Sequence, residues 1–555
     1  MKNKHKRSKL LIIILAISIL SIGSFSFVNS DFEVSKNLDV FATLFKQLNL
    51  YYVDDVNSGE LMKTAIDEML QSLDPYTNYI PESALEDYKF MTTGMYGGIG
   101  SMVFKRGDYV YISEPYEGFP AEKEGLIAGD KILEISGKST KGKSVSDISS
   151  ILKGQASTQV KLLIEREGVE KPFEKTITRV EVKIENIPFY GMLEKDIAYI
   201  KLNGFTQNAG KEVKDAFLEI KEKKKPKGVI IDLRDNGGGL LMEAVNIVNI
   251  FVKKGESVVS TKGRLKERNK DYKTLNQPID TEIPLVILTN NRSASASEIV
   301  AGAIQDVDRG IIIGDKTYGK GLVQNVVPLS YNSKLKVTVA KYYIPSGRCI
   351  QAIDYSHNGS PAKVPDSLKT AFKTQNGRVV YDGGGIEPDI KIELEEGSKL
   401  SYSLITKFLI FDYASKYKRE HPEKPDLANF KITDEIYKDF TEFISDKDYD
   451  YSTKSENDLK LLKETAKKEK YFDDIEKEYN DLLDKIMHNK KDDLVKFKNE
   501  ITLLLKSEII SRYYYQKGRI QTSLNDDKDI AKAIEILNDS VLYNSIIEGS
   551  GKSNR

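Results

Sequence analysis

Histidine is scarce in this sequence of 555 residues, which contains only His5, His357, His421 and His488. None of these lies in a strand-and-turn segment of the kind that normally presents catalytic groups, so a Ser-His-Asp triad is disfavoured. The single cysteine, Cys349, excludes an intramolecular disulfide framework and any metal site built from several cysteines. Basic and acidic residues balance at 83 each, so net charge supports no nucleic-acid partner, anionic membrane or polyanionic substrate.

The N-terminus has the pattern of an export signal. The basic stretch "MKNKHKRSK" precedes the apolar run "LLIIILAISILSIGSFSFV", whose length is close to the roughly 20 residues that cross a bilayer. No clean Ala-x-Ala cleavage site precedes Ser30, so an uncleaved anchor and a lipid-free signal peptide both stay open. Residues 1–30 are predicted to be this signal or anchor, with the basic end in the cytoplasm and the rest of the chain exported.

The remaining chain predicts a multidomain α+β protein. Residues 31–90 repeat apolar positions at three and four, which indicates an N-terminal helical region. Residues 91–178 combine short alternating strands with one short helix from Val145 to Leu152, as in a small β-barrel domain. Residues 179–394 alternate buried strands with helices, which indicates an α/β core. Residues 395–555 predict a helical C-terminal extension whose charge runs are solvated faces.

Candidate binding or catalytic residues are concentrated in residues 291–324, "NRSASASEIVAGAIQDVDRGIIIGDKTYGKGLVQ". One of its two lysines, Lys320, stands between two glycines in the spacing of a phosphate-binding loop. However, Gly321 occupies the position of the hydroxyl residue that ligates magnesium, and the following "LVQNVVPL" predicts a strand rather than a helix. A nucleotide-binding loop is therefore disfavoured.

These residues alone allow two interpretations of the turn that contains the serines. In the first, Ser295 and Glu298 form a capping box that starts the next helix, and Lys320 is a solvated turn residue. In the second, Ser295 is a nucleophile, because the serines follow the buried strand "PLVILTN" at its carboxyl end, where α/β sheets place their sites. The N–H of Ala296 would then donate to the oxyanion, with a second donor from the glycines of "DLRDNGGGL".

A lysine can take the proton of a serine if it is neutral. Burial in an apolar pocket disfavours the ammonium form and can bring the pKa of a lysine to about 7 to 8. The amide of Gln324 could hold the Lys320 amine in line without raising its pKa as a carboxylate would. A Ser-Lys pair of this kind requires no histidine.

These residues resemble the carboxyl-terminal processing proteases, also called tail-specific proteases, which are S41-type serine peptidases with a PDZ domain. That family uses a Ser-Lys dyad assisted by glutamine, with the lysine 25 positions after the serine and the glutamine four further on; Ser295, Lys320 and Gln324 have this spacing. Further signatures occur in the family's order between Tyr51 and Ile390: "YYVDDV", "SLDPYTNYIPES", "YGGIGSMV", "PAEKEGLIAGDKI", "DLRDNGGGL" and "GGGIEPDI".

The resemblance implies a serine endopeptidase that needs no metal or organic cofactor. Residues 91–178 would be the PDZ domain, in which Gly98, Ile99 and Gly100 bind the terminal carboxylate of a substrate tail that adds as a strand beside "SMVF". The alternative for "GGIG" is an ordinary turn. The expected partners are protein substrates with apolar C-terminal tails, with a homodimer through terminal helices and an adaptor lipoprotein as further options. The expected location is the bacterial cell envelope, periplasmic or anchored to the inner membrane and facing outward.

The sequence departs from the family at several positions. Asn236 is followed by three glycines where the family usually has N-P-G-G, so Gly238 or one of its neighbours would be the second oxyanion donor. Lys153 stands where an arginine is common, which weakens any coupling between the PDZ domain and the core through that position. Residues 395–555 lie outside the resemblance. The alternative function is a PDZ-bearing scaffold whose protease core is inactive.

Overall fold

The computed structural model describes residues 32–355, 362–393, 397–486 and 490–550. These residues belong to two compact units, 1–79 and 80–555. The predicted signal or anchor, residues 1–30, lies outside the described residues. Within the described ranges, no helix is long and apolar enough to cross a membrane.

The first unit is helical, in keeping with the three-and-four apolar pattern. Helix α1 covers residues 32–51 and helix α2 covers Ser58–Gln71. The side chain of Asn57 begins α2 by accepting the N–H groups of Gly59 and Glu60, as an N-cap residue does. A short strand, β1 (Asn78–Ile80), follows where the two units meet along the sequence.

The second unit opens with helix α3 (Leu85–Thr93) and a small β domain. Five strands form a sheet in the order β3-β4-β5-β7-β8, with β6 paired to β5, while β2 pairs with β9. The predicted short helix at 145–152 is confirmed, and its capping box joins Ser144 and Asp147. The elements are β2 (Met95–Gly98), β3 (Ser101–Arg106), β4 (Tyr109–Pro115), α4 (Pro120–Lys123), β5 (Lys131–Ile135), β6 (Lys138–Ser139), α5 (Val145–Leu152), β7 (Gln159–Glu165), β8 (Phe173–Thr178) and β9 (Val180–Lys183).

An α/β core follows, as the alternating pattern predicts. Its central sheet has the order β10-β11-β12-β15-β16-β23, where β23 is Ile390–Lys391, and every pair except β10 with β11 is parallel. The central strands are apolar along their length because both faces are covered. The elements are β10 (Phe189–Met192), β11 (Ile197–Lys201), α6 (Ala209–Lys224), β12 (Gly228–Asp232), α7 (Leu241–Phe251), β13 (Ser257–Gly263), β14 (Lys270–Lys273), β15 (Leu285–Thr289), α8 (Ala296–Asp306) and β16 (Ile311–Gly314).

A second, antiparallel sheet lies beside this core. Its strands β14, β13, β18 and β17 pair in that order. Short two-stranded ladders join β19 to β20 and β21 to β22. The elements are β17 (Leu322–Pro328), β18 (Lys334–Tyr343), β19 (Ile353–Asp354), β20 (Ala362–Lys363), β21 (Ala371–Lys373), β22 (Val379–Tyr381) and β23 (Ile390–Lys391).

The C-terminal extension is helical, as predicted. Most of its helices pack around an apolar core of their own that includes Tyr413, Phe440 and Leu505. The helices are α9 (Lys399–Thr406), α10 (Leu409–Glu420), α11 (Asp434–Phe443), α12 (Lys454–Glu469), α13 (Phe472–Ile486), α14 (Lys490–Lys496), α15 (Lys498–Ser523), α16 (Lys528–Asn538) and α17 (Ser540–Ile547).

The last two helices complete the core of the α/β domain. Ile534 and Leu537 of α16 belong to one apolar cluster with Ile230 of β12, on one face of the parallel sheet. A separate cluster, containing residues of α6, α7 and α8, covers the other face. The sheet is therefore covered on one side by residues that lie about 300 positions further along the chain.

The prediction that the C-terminal charges are only solvated was wrong at several positions. Arg106 of β3 makes a bidentate ion pair with Asp412 at 2.8 and 2.9 Å, and the rings of Phe104 and Phe408 stack 4.7 Å apart. The side chains of Arg512 and Asp529 are only 6% and 7% exposed. Asp529 is buried against Arg234 of the α/β core, and Arg512 is buried among residues of the extension itself.

Candidate active site

The three alternating serines lie where β15 leads into α8, at the carboxyl end of a central parallel strand: Ser293 and Ser295 are in the turn, and Ser297 is in the first turn of the helix. Ser293 and Ser297 are fully buried, and their hydroxyls donate to the carbonyl oxygens of Leu233 and Asn236, each at 2.8 Å. Ser295 is partly exposed. The outer serines therefore fasten the turn to the neighbouring strand end, and the middle one is the hydroxyl that a substrate can reach.

The backbone at Ser295 is strained. Its φ of 56° and ψ of −113° lie in a region that residues other than glycine rarely adopt. Such a conformation costs on the order of 1–3 kcal/mol and persists only where the surroundings hold it in place. Here Ala294 donates its N–H to the carbonyl of Asn236 on one side, and α8 begins at Ala296 on the other.

Gly238 packs directly against this turn. Its φ is 97°, and a Cβ added to it would lie 2.7 Å from the Ala294 carbonyl oxygen and 2.8 Å from Ser295 Cβ. Since the same Cβ would lie 2.9 Å from the N of Ala296, the two predicted oxyanion donors lie side by side. In this conformation the N–H of Gly238 donates to Asn236 Oδ1 at 2.9 Å, so an oxyanion would have to replace that acceptor.

Glu298 joins the serine turn to the lysine loop. Its carboxylate is fully buried and accepts the backbone N–H groups of Ser295 and Lys320, each at 2.8 Å, on Oε2. The other oxygen, Oε1, accepts the Thr317 hydroxyl at 2.6 Å and the Gly319 N–H at 2.7 Å. Burial raises the pKa of Glu298, although the hydrogen bonds it accepts favour the ionised form.

Tyr342, on β18, makes a second connection between the same two segments. Its hydroxyl donates to the carbonyl oxygens of Lys320 and, at 3.3 Å, of Ser295. Its ring is buried in the core of the α/β domain. The carboxylate and the phenol together hold the backbones of Ser295 and Lys320 beside each other.

The two glycines that flank Lys320 are required by close packing. A Cβ on Gly319 would lie 2.3 Å from the Cβ of Ala352, and one on Gly321 would lie 2.8 Å from the N of Gln351. Strand β17 begins directly after this loop, as predicted, so the segment lacks the helix that a phosphate-binding loop requires.

The remaining predicted residues occupy other positions. Gln324 lies on β17, and its Nε2 donates to Thr338 Oγ1 at 3.2 Å. Gly98, Ile99 and Gly100 are buried in the small β domain, immediately before β3. The carbonyl of Ile99 accepts the N–H of Ala121 at 2.8 Å, and helix α5 packs near β3.

Two residues of this arrangement have no signal in the sequence for the part they play. Glu298 is recognisable there only as the partner of a capping box, which is its local role, because its hydrogen bonds to residues 317–320 have no short-range pattern. Tyr342 gives no signal, since a tyrosine in an apolar strand is usually a core residue. No group of three or more His, Cys, Asp or Glu side chains suited to a metal ion occurs in the part of the chain that the structure describes.

Three successive parts of the chain match known protein families. Residues 196–357 match the model of peptidase family S41, residues 111–166 match a PDZ domain, and residues 400–537 match a family described as "Probable PDZ-protease, C-terminal helical domain". The small β domain is accordingly a PDZ domain.

Curated relatives extend the match. A carboxy-terminal-processing protease of Bartonella bacilliformis is 36% identical over 344 residues, which are 61% of this chain and 79% of that protein. A probable CtpA-like serine protease of Staphylococcus aureus is 32% identical over 348 residues, covering 61% and 68% of the two chains. A solved structure, the photosystem II D1 C-terminal processing protease, is 28% identical with a TM-score of 0.35, covering 63% of this chain and 86% of that one.

Proposed function

Because the chain belongs to peptidase family S41 and is related to the carboxy-terminal-processing serine proteases, we propose that it cleaves exported proteins selected by their C-terminal tails. The observation that carries the proposal is the carboxylate of Glu298, which accepts the N–H groups of both Ser295 and Lys320. This shared acceptor supports Ser295 as nucleophile and Lys320 as its base, in a chain whose histidines are scarce.

The proposed reaction is an acyl transfer in two steps. Ser295 Oγ attacks the scissile carbonyl carbon while the neutral Lys320 amine takes the hydroxyl proton, and the resulting ammonium protonates the leaving amine. Water then attacks the acyl-enzyme with the same lysine as base, which releases the carboxylate product and restores the serine. Gln324, on β17, would orient the lysine by exchanging its hydrogen bond to Thr338.

The oxyanion would lie between the turn and the glycine loop. The N–H of Ala296 is at the start of α8, where the helix dipole favours negative charge. Gly238 would supply the second donor when the oxyanion displaces the side chain of Asn236 from its N–H. A carbonyl oxygen in the ground state competes less well for that N–H than an oxyanion, so the second donor would act mainly in the transition state.

Tail recognition is assigned to the PDZ domain. Strand β3 is at the end of its sheet and pairs with β4 within the described residues, so its other edge can accept a substrate strand. The backbone of Gly98, Ile99 and Gly100 precedes that strand and would bind the terminal carboxylate. An apolar tail is expected because α5, which packs near β3, presents apolar residues in this region.

The location and the partners beyond substrate stay predictions from the sequence. The basic and apolar N-terminus supports export to the cell envelope, with membrane contact through that segment alone. A homodimer through terminal helices and an adaptor lipoprotein rest on the family resemblance.

The test is digestion of an unfolded model protein by the full chain in a mild detergent, scored by mass spectrometry. The substrate would carry either an apolar C-terminal tail or the same tail ending in two aspartates. We expect cleavage of the first only, lost in Ser295→Ala and Lys320→Ala and retained in Lys316→Ala, because the partly exposed ammonium of Lys316 pairs with Glu387 instead.

Other outcomes would contradict the proposal in different ways. Cleavage retained in Ser295→Ala would refute the nucleophile, and equal cleavage of both substrates would refute tail selection. Binding of the apolar tail without cleavage by the wild type would support the scaffold with an inactive core.

A further inference from the structure

Arg234 lies where the C-terminal extension meets the candidate active site. It lies two residues after the end of β12, and its guanidinium contacts three carboxylates: Asp232 at 2.7 Å, Asp527 at 2.8 Å and Asp529 at 2.9 Å. The first belongs to the protease core, and the other two lie at the start of α16. The Arg234 side chain is only 17% exposed, so these ion pairs are shielded from solvent.

The carboxylate of Asp232 is kept ionised by the cations beside it. Burial alone would raise the pKa of Asp232, but the positive charges of Arg234 and Lys201 outweigh it and hold that pKa well below its usual range. Lys201 also donates to the backbone carbonyl of Arg234 at 2.6 Å. Both the side chain and the backbone of Arg234 are therefore fixed.

The two C-terminal carboxylates are themselves held rigidly. Asp527 is the N-cap of α16, and its side chain accepts the N–H groups of Asp529 and Ile530 at 2.9 and 3.1 Å. Ile530 and other apolar residues of α16 pack against the parallel sheet. The carboxylates thus stand at a fixed position relative to the end of β12.

The residues after Arg234 reach the serine turn within two positions. Asn236 is fully buried, and its carbonyl accepts the N–H of Ala294 at 3.0 Å and the hydroxyl of Ser297 at 2.8 Å. Its side-chain Oδ1 accepts the N–H of Gly238. A change in the position of Arg234 would consequently move the loop 235–239 against Ser295.

We propose that the C-terminal helical extension positions the candidate oxyanion loop, because Asp527 and Asp529 hold Arg234 and Arg234 sets the course of residues 235–239. The inference rests on the proposed function and gives the extension a part in catalysis. Asp527, Asp529 and Arg234 are positioning residues, since none of them touches the reacting atoms.

The test variant replaces both aspartates in the full chain, Asp527→Asn with Asp529→Asn. Asparagine is as good an N-cap as aspartate, so α16 keeps its cap while the charges that hold Arg234 are removed. The matched control is Asp526→Asn, whose carboxylate lies on the same segment but pairs with Lys506 at 3.4 Å. The measurements are kcat and KM for a tailed peptide, the rate at which a fluorophosphonate labels Ser295, and the unfolding temperature.

We expect kcat and the labelling rate to fall about 10- to 100-fold in the double variant, with KM within about twofold of the wild type. In Arg234→Lys, kcat and the labelling rate should fall similarly, because lysine keeps the charge but not the forked geometry of the guanidinium. Combining all three substitutions should cost no more than Arg234→Lys alone, since residues acting through one contact are not additive. Asp526→Asn should match the wild type.

Several results would overturn the inference. If the double variant labels and cleaves at the wild-type rate, the extension does not position the loop, and a lower unfolding temperature with unchanged kcat would assign these ion pairs to stability alone. If the double variant does not fold, Asp529→Asn and Arg234→Lys apply the same criteria. A wild type that neither cleaves nor is labelled at Ser295 would refute the proposed function first and this inference with it.

Discussion

The backbone N–H groups of Ser295 and Lys320 donate to the same oxygen, Oε2 of Glu298, at 2.8 Å each. The two residues are 25 positions apart and lie on different sides of strand β16 in the sequence. A single buried carboxylate therefore fixes the backbone of the candidate nucleophile relative to that of its candidate base.

Replacing Glu298 by glutamine should reduce the rate of catalysis. Glutamine keeps one acceptor oxygen but replaces the other with an NH₂ group. Whichever way the amide is turned, two of the four donors that Glu298 binds would lose their acceptor. We expect kcat to fall about 100-fold, because a misplacement on the order of 1 Å can cost that much. Steady-state kinetics measure it, with the exposed Glu282→Gln as control; equal kcat in both variants would refute the role given to Glu298.

Lys320→Arg tests whether the lysine acts as a base. The guanidinium of arginine is always protonated in proteins, whereas the proposed base is a neutral amine, so arginine cannot take the serine proton. Since general-base catalysis contributes about 10²- to 10⁴-fold, the acylation rate should fall within that range. Burst-phase kinetics with an ester substrate measure this step, and Lys316→Arg serves as the control. Acylation at the wild-type rate in Lys320→Arg would mean that a different group accepts the proton.

Two neighbouring glycines should respond differently to alanine. At Gly238 the added Cβ would clash with the serine turn, and its φ of 97° is strained for alanine, whereas at Gly237 nothing lies within 4 Å of the added Cβ. We expect Gly238→Ala to lose stability by more than about 1 kcal/mol and most of its activity. Gly237→Ala should have the same unfolding temperature as the wild type, as measured by thermal unfolding. A Gly238→Ala protein as stable as Gly237→Ala would contradict the close packing of the loop on Ser295.

Asp232→Asn should make the free energy of unfolding less dependent on pH in the acidic range. Because the pKa of Asp232 is held below its unfolded value, its contribution is present above about pH 4 and is lost as pH falls toward the folded-state pKa. Removing one partner from a buried ion pair costs about 3 kcal/mol or more at pH 7. The difference from wild type should shrink by about 1.4 kcal/mol for each pH unit below about pH 4.

Urea unfolding at pH 7, 4 and 3 measures this difference. The exposed Asp215→Asn, which removes an aspartate from a helix-surface pair with Lys211, is the control and should show almost no change at any pH. A constant difference between Asp232→Asn and the wild type across these pH values would show that the ion pairs of Asp232 do not have the charge balance described here.

Much of the fold followed from local patterns. The apolar periodicity of Val145 to Leu152, the capping signal at Ser295 and the apolar strand "PLVILTN" each reflect interactions with near neighbours in the chain, and the predicted helices and strands are present at those places. The family spacing of Ser295, Lys320 and Gln324 could also be read directly.

What the sequence could not supply was the partner of each charge and hydroxyl across the fold. Three serines alternate in this segment, and burial of Ser293 and Ser297 leaves Ser295, the one that the family spacing indicates, as the accessible hydroxyl. The sequence presented the C-terminal charges as a solvated surface, whereas Asp527 lies 293 positions from Arg234 and pairs with it. Residues within a few positions are neighbours in every helix or turn and so leave a pattern, but contacts between distant segments exist only once the chain has packed, and that packing decided how Glu298, Arg234 and Gly238 are arranged around Ser295.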